Sequence, residues 1–287
     1  MPIRSEAPSA PFLFSVDLED VRDMIPGGAA CREAVPENTL RYLDWLDRQG
    51  AACTFFVVGR TARAYPDLIR EIHRRGHEVA CHSDSHRPLP ELGPQGLRAD
   101  LARNMEALSR CGVSTIRGFR APAFSLTRTT RWAYEILRES GLTYSSSVLP
   151  ARNPLFGWPG FGGERTLDGI LEIPMTVGPR PIAVPFAGGI YLRCLPGPIL
   201  RRLVDGAARR QAPLVGYVHP YDIDTRQERF THPHLGRLRL LNRLMYVNRD
   251  RVFDRLDDVI RRGFRILTYR QYAAARGGAV MTAGARS

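Results

Sequence analysis

The five cysteines of the sequence form no C-x-x-C pair and are scattered along the chain, at Cys31, Cys53, Cys81, Cys111 and Cys194. An odd and scattered set argues against a disulfide framework and favours a reducing compartment. The chain also lacks an apolar run long enough to span a membrane. Its N-terminal segment is polar and rich in proline, without the apolar core of a secretory signal, so we expect a cytoplasmic protein.

Lysine is absent, and the 41 basic residues, all arginine, outnumber the 29 aspartates and glutamates, which gives a formal net charge of +12. This balance favours an anionic partner, such as a phosphate-bearing carrier or an anionic membrane surface, with the protein peripheral at the inner membrane face. An arginine-rich genome composition explains the charge equally well. Because no aromatic-interleaved basic repeat is present, no nucleic-acid partner is expected.

Apolar strand-like segments and amphipathic helices alternate about seven times along the chain with short links, which predicts a parallel sheet that is open or closed into a barrel. The length of 287 residues is ample for a core. We expect one domain over residues 12–275, with a disordered arm at 1–11 and a disordered tail at 276–287.

Polar side chains of catalytic type follow four of the predicted strands. They are Asp17, Glu19 and Asp20 after the first strand, His82 and His86 after the third, Arg120 after the fourth, and His219 after the strand at 214–218. In a parallel barrel the carboxyl ends of the strands meet on one face. We therefore expect these side chains to form one site.

The two histidines His82 and His86 are four residues apart, so a helical turn between them would let both imidazoles reach one ion. A carboxylate from the first strand would complete a three-ligand site with an open position, which is typical of catalytic zinc. Such an ion lowers the pKa of a bound water and polarises a carbonyl. A second carboxylate, oriented by Arg120, would accept a proton, and His219 would protonate a leaving amine. With backbone N–H groups after Pro122 facing the oxyanion, these parts predict metal-assisted amide hydrolysis.

The chain resembles the polysaccharide deacetylase family (NodB homology, carbohydrate esterase 4) in segments that follow one another in the family's order: 15–20, 54–57, 76–86, 120–122 and 219–220. The match runs from about residue 12 to 272, and the form Asp-x-Glu-Asp is most similar to the subfamily found in exopolysaccharide gene clusters. The resemblance implies a distorted (β/α)7 barrel and one divalent metal, usually Zn²⁺, with Co²⁺, Ni²⁺ or Mn²⁺ as alternatives. It also implies hydrolysis of an N-acetyl group on an amino sugar.

Carried over position by position, the resemblance assigns roles to five residues. Asp17 is the general base, His82 and His86 are metal ligands, Arg120 orients the base, and His219 is the general acid. His77, which precedes the third strand, is interpreted as structural, bonded to a neighbouring loop.

The first motif departs from the family pattern, because Leu18 stands where the family usually has a second aspartate that binds the metal. Some members skip one residue, which would make Glu19 the third ligand. The longer reach of Glu19 favours it, and Asp20 stays the alternative.

Four further residues are assigned to the substrate: Phe124, Trp158, Tyr221 and Asp222. Aromatic rings stack on sugars, although core packing explains Phe124 and Trp158 as well. An alternative role for Asp222 is to orient His219.

The prediction is therefore a metal-dependent hydrolase that removes an N-acetyl group from an amino sugar, either a polysaccharide precursor, a lipid- or nucleotide-linked sugar, or a small glycoside. One alternative is a deformylase of a lipid-linked formamido sugar. A second alternative is a catalytically silent carbohydrate-binding barrel, against which the intact set Asp17, His82, His86 and His219 argues.

Overall fold

The computed structural model describes residues 9–179, 183–231 and 239–284. Its strands are β1 Ala10–Leu18, β2 Thr54–Val57, β3 Glu78–Cys81, β4 Gly118–Phe119, β5 Tyr144–Ser145, β6 Arg165–Leu167, β7 Ile170–Glu172, β8 Leu214–Val218 and β9 Phe264–Leu267. The first helices are α1 Val21–Met24, α2 Val35–Arg48, α3 Gly59–Ala64, α4 Pro66–Arg74, α5 Leu89–Arg110 and α6 Ala133–Glu139. They are followed by α7 Gly189–Cys194, α8 Gly197–Arg209, α9 Arg239–Leu244, α10 Val252–Arg261 and α11 Tyr269–Gly284.

The strands form one curled sheet with the order β6-β7-β5-β4-β3-β2-β1-β8, and β9 pairs with β1. All of these pairs are parallel except β6 with β7. The sheet is a half-barrel of mostly parallel strands with helices outside, consistent with the distorted (β/α)7 barrel, so the predicted fold class is confirmed. Among the described helices, none combines the length and the apolar character needed to cross a bilayer.

The central strand β1 decides which side chains enter the barrel. It pairs with β2, β8 and β9, and almost all of its residues are buried, as in parallel strands that are covered on both faces. Phe12, Phe14 and Val16 pack in the core cluster beneath the outer helices, whereas Leu13 packs inside with residues of other strands. Since side chains alternate along a strand, Asp17 follows Leu13 onto the inner face.

Both predicted termini of the domain differ from the structure. The strand β1 begins at Ala10, inside the predicted arm, where its N–H donates to Gly263 O at 3.0 Å. The helix α11 continues to Gly284, across most of the predicted disordered tail.

The histidine that precedes β3, His77, is buried, and its Nδ1 accepts a hydrogen bond from the N–H of Cys53 at 3.3 Å. This contact confirms the structural interpretation of His77. Burial lowers the pKa of His77 to about 4. Protonation at Nδ1 would also break the hydrogen bond, so the neutral imidazole is the form that the fold accepts.

We expect the free energy of unfolding to fall by about 3 kcal/mol through His77 as the pH falls from about 6.5 to about 4. Over this range the unfolded histidine binds a proton that the folded one does not bind, so acid favours unfolding. The variant His77→Gln keeps an acceptor for Cys53 but does not titrate. Urea unfolding at pH 7, 5.5 and 4 should show a weaker pH dependence in the variant, and parallel curves would contradict the assignment.

Candidate active site

The ligand loop, residues 82–88, follows β3 and carries both predicted metal histidines. It is a loop rather than the expected helical turn, with Ser83 and His86 in the left-handed region at φ 66° and 56°. The two imidazoles nevertheless meet, with ring centroids 5.0 Å apart. Tertiary structure, and not helical spacing, brings them together.

Two buried residues of α5 hold the ligand loop, and the sequence analysis missed both. The carboxylate of Asp100 accepts hydrogen bonds from Asp84 N at 2.7 Å, Ser85 N at 3.1 Å and Ser85 Oγ at 2.7 Å. The amide of Asn104 donates to Ser83 O at 2.6 Å. Polar residues on the buried face of an otherwise amphipathic helix were the signal that could have found them.

The carboxylate of Glu19 lies between the two histidines. Its Oε1 is 3.6 Å from His82 Nε2 and its Oε2 is 3.4 Å from His86 Nε2. One donor atom from each of these three residues lies within 4.8 Å of the others. His82 Nδ1 donates to the carbonyl oxygen of Arg120 at 2.8 Å, which leaves Nε2 free to bind an ion.

The donor set fits a divalent cation. Glu19 Oε2 and His86 Nε2 are both buried, and neither makes a hydrogen bond to any residue that the structure describes. Buried polar atoms without partners are costly, so two of them directed at one point indicate a missing ligand. Burial alone would raise the pKa of Glu19, but the charges of His86 and His219 hold it well below its usual range, so this carboxylate is ionised.

The alternative ligand Asp20 faces away from this cluster. Its carboxylate caps α1 by accepting a hydrogen bond from Arg22 N at 2.9 Å. Its second oxygen accepts from the hydroxyl of Tyr65 at 2.7 Å. Both oxygens are engaged, and the geometry favours Glu19 over Asp20 as the third donor.

The inner face of β1 pairs Asp17 with Arg120. Arg120 Nη1 donates to Asp17 Oδ1 at 2.6 Å and to Ser15 Oγ at 2.7 Å, and the guanidinium lies 4.1 Å from the ring centroid of Phe56. Asp17 Oδ2 is 4.0 Å from His82 Nε2. One oxygen of Asp17 is therefore fixed by the arginine. The other lies next to the donor cluster, which is formed by Glu19, His82 and His86.

The loop after β8 brings His219 to the opposite side of Glu19, with Nε2 3.2 Å from Glu19 Oε1. His219 Nδ1 donates to Asp222 Oδ2 at 2.9 Å, and Asp222 Oδ1 accepts from Arg193 Nε at 2.9 Å. Burial alone would lower the pKa of His219, but Glu19 and Asp222 raise it to about 10. Asp222 thus orients the histidine, as the alternative interpretation had it, and Arg193 fixes Asp222.

The sequence analysis did not name Arg193. A single arginine in the apolar segment 189–195 was the available signal, because an isolated charge within a buried stretch usually has a partner. Its Nη1 donates to the backbone oxygens of Met245 at 3.0 Å and Val247 at 2.9 Å. The arginine thereby ties the segment after α9 to the histidine.

A cavity of about 530 Å³ opens on the donor cluster, and Phe124, Tyr221 and Asp222 line it. The ring of Tyr221 stacks on His219 at a centroid distance of 4.5 Å. Trp158 is not among the lining residues; it packs with Phe161 in a core cluster, with centroids 5.0 Å apart. The structure therefore separates Trp158 from the other residues assigned to the substrate, and core packing accounts for it.

Two of the backbone N–H groups after Pro122, which were predicted to face the oxyanion, already donate to other backbone oxygens. The N–H of Phe124 donates to Ala121 O and that of Ser125 to Pro122 O, both at 3.1 Å. These two groups are already engaged inside the 3₁₀ turn Pro122–Phe124.

Residues 25–144 match the family model described as polysaccharide deacetylase. This segment of the chain belongs to the polysaccharide deacetylase family. The deacetylase match contains His82, His86 and Arg120, whereas Asp17 and Glu19 precede it. Residues 146–274, with His219, match a domain of unknown function, DUF3473.

Curated relatives match the chain over short stretches. A chitooligosaccharide deacetylase of Sinorhizobium fredii is 36% identical over 88 residues, which are 30% of this chain and 41% of that protein. A peptidoglycan-N-acetylglucosamine deacetylase of Bacillus cereus is 28% identical over 100 residues, 34% of this chain and 36% of that protein. The matches thus span less than half of either relative.

Solved structures share the fold over almost the whole chain. A protein assigned as a polysaccharide deacetylase from Mycobacterium smegmatis superposes with a TM-score of 0.57 at 20% identity, covering 94% of both chains. A CE4 family pseudoenzyme from Bacillus anthracis superposes with a TM-score of 0.52 at 12% identity, covering 94% of this chain and 69% of that one. Since the fold also occurs in a pseudoenzyme, the side chains of the site must decide about activity.

Proposed function

We propose that the protein is a metal-dependent hydrolase that removes the acetyl group from an N-acetylated amino sugar. The observation that carries the proposal is the cluster of Glu19, His82 and His86, with two buried donor atoms that lack partners among the described residues. Two imidazoles and one carboxylate are usual donors of catalytic zinc, so Zn²⁺ is the proposed ion, with Co²⁺, Ni²⁺ or Mn²⁺ as alternatives.

When bound, the ion would supply positive charge that polarises the acetyl carbonyl and lowers the pKa of a nearby water. Asp17 Oδ2 accepts the proton of the attacking water, because Asp17 Oδ1 is held by Arg120. Attack forms the new carbon–oxygen bond at the acetyl carbon.

The carbon–nitrogen bond then breaks, and the sugar nitrogen needs a proton to leave as an amine. His219 Nε2, which lies 3.2 Å from Glu19 Oε1, delivers this proton, while Asp222 holds Nδ1–H. The products are acetate and the free amino sugar, so one water is consumed in each turnover.

The names of the relatives support a saccharide substrate, and the net charge of +12 supports one that carries phosphate or lies at an anionic membrane surface. The test is release of acetate from N-acetylglucosamine, UDP-N-acetylglucosamine and chitooligosaccharides, and release of formate from a formamido sugar, using zinc-loaded protein. We expect acetate release that a chelator abolishes and that added zinc restores. Release of formate without release of acetate would support the deformylase. Binding of the sugars without turnover would support the catalytically silent barrel.

A further inference from the structure

The cavity on the donor cluster has a wall that a sugar alone does not explain. Much of its lining is aliphatic or thioether: Leu149, Leu155, Ile190, Leu195, Leu244 and Met245. Sugar hydroxyls buried against such side chains would lose hydrogen bonds to water without replacement, which costs free energy. A hydrocarbon group at the same place gains by leaving water.

The polar part of the lining is smaller and lies on the side of His219. Asp222 is occupied on both oxygens by His219 and Arg193. Arg193 Nη2 is buried and has no hydrogen-bond partner among the residues that the structure describes. The cavity is therefore amphipathic, with room for a sugar beside an apolar group.

The mouth of the cavity is apolar as well. Leu155 lines the cavity, and its side chain is 42% exposed, which is unusual for a large apolar residue of this chain. Val247 is 37% exposed, and its carbonyl oxygen accepts a hydrogen bond from Arg193 Nη1. Leu155 therefore offers exposed apolar surface to a hydrocarbon group that extends out of the cavity.

We infer that the substrate is an acylated amino sugar that carries a hydrocarbon chain, and that the aliphatic wall with Leu155 binds this chain. The inference rests on the proposed hydrolysis of the amide of an amino sugar and specifies the substrate class; a chain on the acyl group would extend the reaction from acetyl to longer acyl groups. The chain can be attached at the anomeric carbon or can belong to the acyl group, since the wall recognises hydrocarbon in both cases.

The test compares methyl and octyl N-acetylglucosaminide, N-octanoylglucosamine and chitohexaose, all below micelle concentrations, by amine release from zinc-loaded protein. We expect kcat/KM for the octyl glycoside to exceed that for the methyl glycoside at least about ten-fold. A comparable preference for N-octanoylglucosamine would place the chain on the acyl group. Equal values for the methyl glycoside, the octyl glycoside and N-octanoylglucosamine, or a preference for chitohexaose over all three, would overturn the inference.

The variant Leu155→Asp should reduce the octyl-to-methyl ratio at least about five-fold. Its matched control is Leu40→Asp, because Leu40 is a leucine of α2 with a similar exposure of 38% that does not line the cavity, and it should leave the ratio unchanged. If no substrate is turned over, the proposed function fails, and calorimetric binding of the octyl glycoside decides the inference separately. The inference is supported if the octyl glycoside binds and if Leu155→Asp, but not Leu40→Asp, weakens this binding. It is overturned if the octyl glycoside does not bind.

Discussion

Asp17→Asn is expected to lower kcat about 10³-fold while the protein still binds its metal. The amide keeps an oxygen for Arg120 Nη1, but it cannot accept a proton from water, and a positioned general base contributes about 10²- to 10⁴-fold. The metal donors Glu19, His82 and His86 are unchanged in this variant. Single-turnover amine release and metal content by mass spectrometry check the two parts separately.

The matched control for this variant is Asp23→Asn, an exposed carboxylate in the neighbouring helix α1, which should stay within about two-fold of wild type. Removing the negative charge of Asp17 leaves the buried guanidinium of Arg120 without its counter-ion, so the variant will be less stable. Activity should therefore be measured well below the unfolding midpoint of each protein. A folded, metal-loaded Asp17→Asn protein with nearly normal kcat would exclude Asp17 as the base.

Glu19→Gln should weaken zinc binding about 100-fold or more and remove activity, whereas Asp20→Asn should bind zinc almost as wild type does. Glu19 is the carboxylate within 4.8 Å of both histidine donors, and a neutral amide is a poor zinc ligand. Asp20 is engaged with Arg22 N and the Tyr65 hydroxyl instead. The pair of variants changes adjacent residues by the same chemistry.

Competition with a chromogenic chelator measures the zinc affinity of both variants directly. Affinity is the primary measurement here because Glu19 also contacts His219, so a loss of activity alone would not separate the two roles. The assignment of the third donor is wrong if Asp20→Asn loses zinc and Glu19→Gln retains it.

Periodicity and residue type were sufficient for much of the molecule. The nearly continuous apolar run of β1 and the stripes of the amphipathic helices predicted a parallel α/β sheet, because such strands are covered on both faces. The rule that strand ends converge then placed His82, Arg120 and His219 together, and the structure does bring them to one cluster.

The residues that were missed or misplaced depend on contacts between distant parts of the chain. Asp100 and Asn104 hold the ligand loop from α5, and Arg193 reaches Asp222 from α7. Trp158 was assigned to the substrate by residue type, but it is partly buried and packs against a core cluster, beside Phe161. Local pattern does not reveal which of several possible partners a side chain meets, since that depends on how the elements pack.

The sequence by itself determined the parallel α/β fold, the histidine pair and the likeness to the deacetylases, because these follow from hydrophobic period and from motifs of fixed spacing. Only the tertiary structure shows that Glu19, and not Asp20, faces the two histidines. The two carboxylates are adjacent in sequence, so composition and spacing treat them almost alike. The turn after β1 directs Glu19 toward His82 and His86 and makes Asp20 the cap of α1, and this difference in direction arises from packing.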